Sequence, residues 1–174
     1  MKRVRSVLIF CLVIGFNLTL SAQEYVAPGL EFTCELKVTI DPVMNLGSTC
    51  YGDRIIIPIS GGTFEGPKLK GTVLPGGADY QKLYKDNGLT ELEAIYTIRT
   101  DDNVLIHVRN VGIFYNPNED AVKTTADSNE IYFRTAPKFE APEDSKYAWL
   151  NHAIFICKPV PAKDYISIQV WKVL

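Results

Sequence analysis

Along most of this chain, apolar and polar residues alternate with a period of two. In LEFTCELKVTI the side chains of Leu30, Phe32, Cys34, Leu36, Val38 and Ile40 alternate with Glu31, Thr33, Glu35, Lys37 and Thr39. Successive side chains of a strand point to opposite faces, so this segment reads as a strand with one buried and one wet face. The same signature, or a β-branched run, recurs in DRIIIPIS, PKLKGTVL, LTELEAIYTIRT, VLIHVRNVGIF, EIYFRTAPKFE, WLNHAIFIC and YISIQVWKVL. Gly and Pro punctuate the joins. No long helical pattern, internal repeat or low-complexity segment interrupts them; the longest connection is the polar stretch Asn116 to Asn129, with room for one short helical turn. Hairpin-length connections without crossover helices predict an all-β fold, a single antiparallel up-and-down barrel of about eight to nine strands, with a β-sandwich as the alternative. Pro58 cannot donate to a ladder and belongs at an edge or bulge. The pairs Gly61-Gly62 and Gly76-Gly77 mark corners where a strand bends to close the barrel.

One hairpin can be placed in register. Asp101-Asp102-Asn103 lies between two alternating runs, and a three-residue loop ends in a left-handed residue, which Asn tolerates. That register pairs Thr100 with Val104, Ile98 with Ile106, Tyr96 with Val108 and Ala94 with Asn110. Apolar faces then coincide, and Thr97, Arg99, His107 and Arg109 share the other side; a two-residue loop would mix the faces. Asn110 thereby falls on the inward face. In YAWLNHAIF, Trp149 and Asn151 share a face with Ala153 and Phe155, which makes Asn151 a second interior amide. A buried amide must find partners or line a wet cavity, since an unsatisfied one costs about 1–3 kcal/mol.

The chain opens with Lys2, Arg3 and Arg5, then the uncharged run VLIFCLVIGFNLTL and the small residues Ser21-Ala22. A basic segment, an apolar segment and small residues at the cut describe a secretory signal peptide over residues 1–22, with a retained membrane anchor as the rival reading. The barrel domain then covers 23–174, an ordinary length for one domain with one core. The expected location is the periplasm or the extracellular space, with no stable membrane insertion once the signal is removed. A composition that is 47% hydrophobic and 22% charged is that of a globular domain. A formal net charge of −2 argues against nucleic acid, which needs a basic footprint.

Beyond the signal, Cys34, Cys50 and Cys157 remain, an odd count compatible with one disulfide. Cys34 with Cys50 is the expected pair, on neighbouring strands, against a buried inert thiol at Cys34. No CxxC motif occurs, and His107 and His152 stand alone, so neither a metal site nor a cofactor is expected.

The stretch VLPGGADYQ, Val73 to Gln81, concentrates the candidate chemistry. Leu74 to Gly77 would end a strand at the barrel rim and leave Asp79 and Tyr80 at the mouth. Asp79 then serves as a general base if apolar neighbours raise its pKa, or bonds the N–H groups of the turn. In YFRTAPKFE, Phe133, Thr135 and Phe139 share one face, and Tyr132, Arg134 and Lys138 the other. Arg134 is placed to clamp a carboxylate, or to lie on the solvated face. Asp102 is expected to pair at the surface with Arg99 or Arg109. No Ser-His-Asp arrangement is readable.

The segments GGTFEGPKLKGTVLPGGADYQ, EAIYTIRTDDNVLIHVRNVG, YFRTAPKFE and YAWLNHAIF, in this order, resemble the uncharacterised bacterial and fungal family catalogued as domain of unknown function 3237. The resemblance runs from about Leu30 to Val173 and implies a calycin-like antiparallel barrel. It brings no activity, cofactor or mechanism. The chain departs from the family pattern in its signal peptide, in Cys34 and Cys50, and in the short segment between Gly112 and Ile131.

Three functions compete. The first is an exported barrel binding a small, partly aromatic or apolar molecule, walled by Tyr96, Phe133 and Trp149 and oriented by Asn110, Thr135 and Asn151. The second is a cofactor-free isomerase, cyclase or lyase with Asp79 as acid or base, and Asn110 or Asn151 stabilising negative charge. The third is a structural or interaction barrel with a packed interior. Oligomeric state is open.

Overall fold

A computed structural model of the chain describes residues 25–117 and 131–174. The expected signal peptide and the turn expected within Asn116 to Asn129 fall, but for Asn116 and Pro117, outside these residues. Among the described residues ten strands succeed one another: β1 (Leu30–Ile40), β2 (Met44–Thr49), β3 (Gly52–Glu65), β4 (Lys70–Val73), β5 (Gly77–Tyr84), β6 (Leu89–Thr100), β7 (Leu105–Tyr115), β8 (Tyr132–Glu140), β9 (Phe155–Pro161) and β10 (Ile166–Val173). Eight of them close an antiparallel barrel in the order β1-β10-β9-β8-β7-β6-β5-β3, and β3 returns to β1. That closure excludes the sandwich. The two further strands are β2, an arm paired with the start of β3, and β4, which continues the line of β5.

The interrupted line of β4 and β5 accounts for VLPGGADYQ. Both strands lie between β3 and β6: Val73 pairs with Gly62 and Ile98, Gly77 with Ile59, and Ala78 with Ile95. The β4–β5 path thus takes one step more than β3 and two more than β6, and Leu74 to Gly76 is a bulge within the wall. Leu74 N–H donates to Thr97 O at 2.9 Å and Gly76 N–H to Ile59 O at 3.3 Å, so the bulge remains anchored on both sides. A side chain at Gly77 would stand 2.5 Å from Tyr96 Cβ, so only glycine lets this strand lie against Tyr96. The expected rim is therefore a mid-wall bulge.

β3 is the corner strand. Its first half pairs with β2 and β5 and its second half with β1 and β4, the switch falling at Pro58 to Gly62. Gly62, at φ +138°, packs so tightly on the Lys37 carbonyl that no side chain fits there. The β6–β7 hairpin has the register expected of it, Ala94 opposite Asn110 included, and Asn103 holds φ 65°.

The core fills one half of the barrel. Ile98, Ile106, Val108, Phe139, Phe155 and Val170 are fully buried there, and Leu150 plugs that end. WLNHAIFIC is not one strand. Ala148–His152 is a short 3₁₀ helix and β9 begins only at Phe155. Chained turns, Ser145 N–H to Pro142 O, Ala148 N–H to Ser145 O and Leu150 N–H to Tyr147 O, coil the segment across the barrel end. All three described cysteines are free, which corrects the expected disulfide: Cys34 points into the core from mid-β1, whereas Cys50 is exposed at the β2–β3 turn.

Candidate functional site

The other half of the barrel is hollow. A cavity of about 160 Å³ opens there, enclosed mainly by aliphatic side chains such as Val38, Ile57, Ile59, Leu92 and Ile168. Five polar side chains face it: Asp79 and Gln81 from β5, Tyr96 from β6, Asn110 from β7 and Thr135 from β8. Phe133 closes the wall beside Thr135.

Asp79 stands opposite Ile57 on one side and Ala94 on the other. Its Oδ1 accepts the Glu93 N–H at 3.1 Å and its Oδ2 accepts Gln81 Nε2 at 2.6 Å. The carboxylate therefore caps a backbone donor of β6, not one of the bulge. Burial among apolar groups dominates and raises its pKa above the usual carboxylate range, against the pull of those two hydrogen bonds. Tyr96, 4% exposed, has its phenol pKa raised by the same cause.

Asn110 and Thr135 are different in kind. Asn110 is 3% and Thr135 7% exposed; among the described residues Asn110 Oδ1 has no hydrogen-bond partner, and Thr135 Oγ1 has none but the Cys157 thiol. Register explains the amide: its cross-strand neighbours are Ala94 and Pro137, neither of which carries a polar side-chain atom. Thr135 faces Cys157 across to β9, whose thiol burial pushes up to about 12. Cys34 is likewise held at about 12, so neither buried thiol is a ready nucleophile.

Of the residues singled out in the sequence, Asp79, Tyr96, Asn110, Phe133 and Thr135 share the cavity. Trp149, Asn151 and Arg134 do not. Trp149 lies on the closing 3₁₀ helix against Phe155, ring centroids 6.0 Å apart. Asn151 accepts the Ala141 N–H at 2.8 Å and donates to Ala141 O and Glu143 Oε1, each at 2.9 Å. It is a structural clamp. Both were misplaced because a helical turn carried the alternation taken for a strand. Arg134 is exposed outside the barrel, donating to Phe133 O at 2.7 Å. Asp102 pairs with Lys146, at 2.9 Å, and not with Arg99 or Arg109; Arg109 binds Glu93 instead. Gln81 went unread although it shares the face of Asp79 two residues away. Among the described residues no group of His, Cys, Asp and Glu is arranged to hold a metal ion.

With this geometry in view, comparison with known proteins is decisive on one point. The family model of a protein of unknown function, DUF3237, matches residues 28–173. The chain belongs to the DUF3237 family. A UPF0311 protein of Rhodopseudomonas palustris is 39% identical over 153 residues, covering 84% of the chain and 99% of the relative. One of Clostridium acetobutylicum is 36% identical over 148 residues, covering 82% and 92%. Among solved structures, the conserved protein of unknown function from R. palustris matches with TM-score 0.77 and 37% identity, over 86% of this chain and all of that one. A β-barrel-like protein from Acinetobacter baumannii matches with TM-score 0.73 and 30% identity, over 87% of this chain and all of that one. DUF3237 membership thus carries the barrel, and function must be argued from the cavity.

Proposed function

We propose that the protein is an exported barrel that binds one compact, neutral, mostly apolar molecule carrying a hydrogen-bond donor. The observation behind this is Asn110 Oδ1, buried in the cavity wall with no partner among the described residues, beside the Thr135 hydroxyl. Left unsatisfied it costs about 1–3 kcal/mol, and a hydroxyl or N–H on a bound molecule recovers that. Among the described residues no Lys, Arg or His lines the cavity, while Asp79 does, so an anionic ligand is disfavoured. Aliphatic walls with a few convergent polar groups are what small-molecule sites look like. Export is supported by the basic, apolar and small-residue succession of residues 1–22.

Native mass spectrometry of protein purified gently from an exporting host tests both halves. We expect a mature mass beginning near Gln23 and a reproducible additional mass. That additional mass is lost in Asn110→Leu and kept in Trp149→Ala. A clean apo mass, with no thermal shift across a metabolite panel, would instead favour the packed, structural barrel; a ligand at 100 times Kd stabilises by about 2.7 kcal/mol.

A second reading rests on Asp79, whose raised pKa suits a general acid or base facing the same space. Asp79→Asn separates the two: a catalyst loses turnover and keeps its ligand, whereas a carrier keeps both its ligand and its affinity.

A further inference from the structure

The barrel wall has one seam unlike the others. β8 pairs with β7 along its whole length, and β9 with β10 likewise, yet β8 and β9 meet through a single pair, Thr135 with Cys157. The sequence gives the reason. Continuing that register places Ile131 opposite Pro161, Phe133 opposite Pro159 and Pro137 opposite Phe155. Each of these flanking pairs contains a proline, which has no N–H to give.

The direction of those prolines is fixed by the neighbouring ladders. Pro137 sits within continuous β7–β8 pairing, and Pro159 and Pro161 within continuous β9–β10 pairing, so their nitrogens face the seam. The Phe133 carbonyl, deprived of a donor on β9, is met by the guanidinium of Arg134 at 2.7 Å. On the outer face the same register sets Arg134 opposite Lys158, and like charges directly opposite weaken a strand pair. Immediately inside lies the cavity, lined by Phe133 and Thr135 of β8 and Pro159 of β9.

We propose that the β8–β9 seam is a lateral portal, parting on either side of the Thr135–Cys157 pair to pass small neutral molecules into and out of the cavity. The proposal rests on reading the cavity as a binding site, but its test needs no ligand. Cys157 stands in the seam, at its one paired position, and Cys34 lies away from it on β1; each is 1% exposed, and burial pushes both thiols up to about 12. Both thiols are buried alike, so labelling of Cys157 against Cys34 as the reference reports local opening.

The experiment treats the folded full chain with methyl methanethiosulfonate, a small neutral thiol reagent, and follows each cysteine by peptide mass. Cys157 is expected to react at least about tenfold faster than Cys34. Pro159→Val, which returns an N–H to Phe133 O, is expected to slow Cys157 and leave Cys34 unchanged; Pro137→Val serves as an independent second variant. Equal rates at the two thiols would place access at the barrel end or in global unfolding and overturn the portal. So would reaction at neither thiol, or indifference of Cys157 to both proline replacements. Failure of the binding reading shows up separately, as unchanged occupancy in Asn110→Leu.

Discussion

The two ends of this barrel use the same residue types to opposite effect. At the closed end, Asn151 spends its side chain on Ala141 and Glu143, and Asp102 receives Thr100 Oγ1 at 2.6 Å, Tyr147 OH at 2.8 Å and Lys146 Nζ at 2.9 Å. In the hollow half, Asn110 Oδ1 has no partner among the described residues, and Asp79, although its oxygens accept the Glu93 N–H and Gln81 Nε2, is buried with its pKa raised. An asparagine and an aspartate are thus tied into structure at one end and face an apolar cavity at the other. The difference lies in what stands across from them. A chain that coils over the barrel end supplies backbone and side-chain donors, whereas neighbouring strands offer Ala94 and Pro137. For the amide the mark is a missing partner; for the carboxylate it is burial that outweighs the partners it has.

Mutations can break that contrast. Trp149→Ala should give the largest effect, about 3 kcal/mol of lost stability by urea denaturation, because it opens a hole beneath the closing helix where the ring meets Phe155. Asn151→Ala should cost about 2 kcal/mol, since it strands the N–H and C=O of the buried Ala141. Neither should alter occupancy of the cavity in the molecules that remain folded. Asn110→Leu should stay within about 1 kcal/mol of the parent, or exceed it, because it removes an atom already unsatisfied. If Asn110→Leu proved as costly as Asn151→Ala, the amide would be structural at both ends and the contrast would collapse.

Period-two alternation made the strands readable, and register made Asn110 readable. Once Asp101 to Asn103 is taken as a three-residue loop, every pair down to Ala94 and Asn110 follows, because a one-residue slip would turn an apolar face outward. Asp79 was legible as a candidate but not in its setting. The bulge at Leu74 to Gly76 resembles a strand end in one dimension, and only pairing on both sides shows that the wall continues through it. Trp149 and Asn151 misled for a related reason: over five residues, a 3₁₀ helix and a strand leave nearly the same apolar pattern. Disulfide pairing was not readable from spacing, since Cys34 and Cys50 are close in sequence but differ wholly in burial.

The two aspartates give the finest test, because their pKa values are displaced in opposite directions. For Asp79 the folded value lies above the ordinary carboxyl value of 3.8, chiefly through burial. The folded state therefore holds more protons between those two values, and stability falls as pH rises through the window. For Asp102 the folded value lies well below 3.8, chiefly through the hydrogen bond from Thr100, then those of Lys146 and Tyr147. Its contribution is present above 3.8 and is lost as pH falls through the folded value. Urea midpoints measured from about pH 3 to pH 8 should then diverge with opposite sign. Asp79→Asn should unfold later than the parent at neutral pH and converge with it near 3.8, while Asp102→Asn should unfold earlier at neutral pH and converge only in stronger acid. Glu31 and Asp53 are also lowered and steepen the acid limb of every protein in the set, so the differences from the parent carry the information. The Asp102 effect should be small, because the group is exposed and screened. A neutral-pH shift of the same sign in both variants would mean that the Asp79 hydrogen bonds to Gln81 and Glu93 outweigh its burial, and that this carboxylate, like Asp102, is already spent on structure.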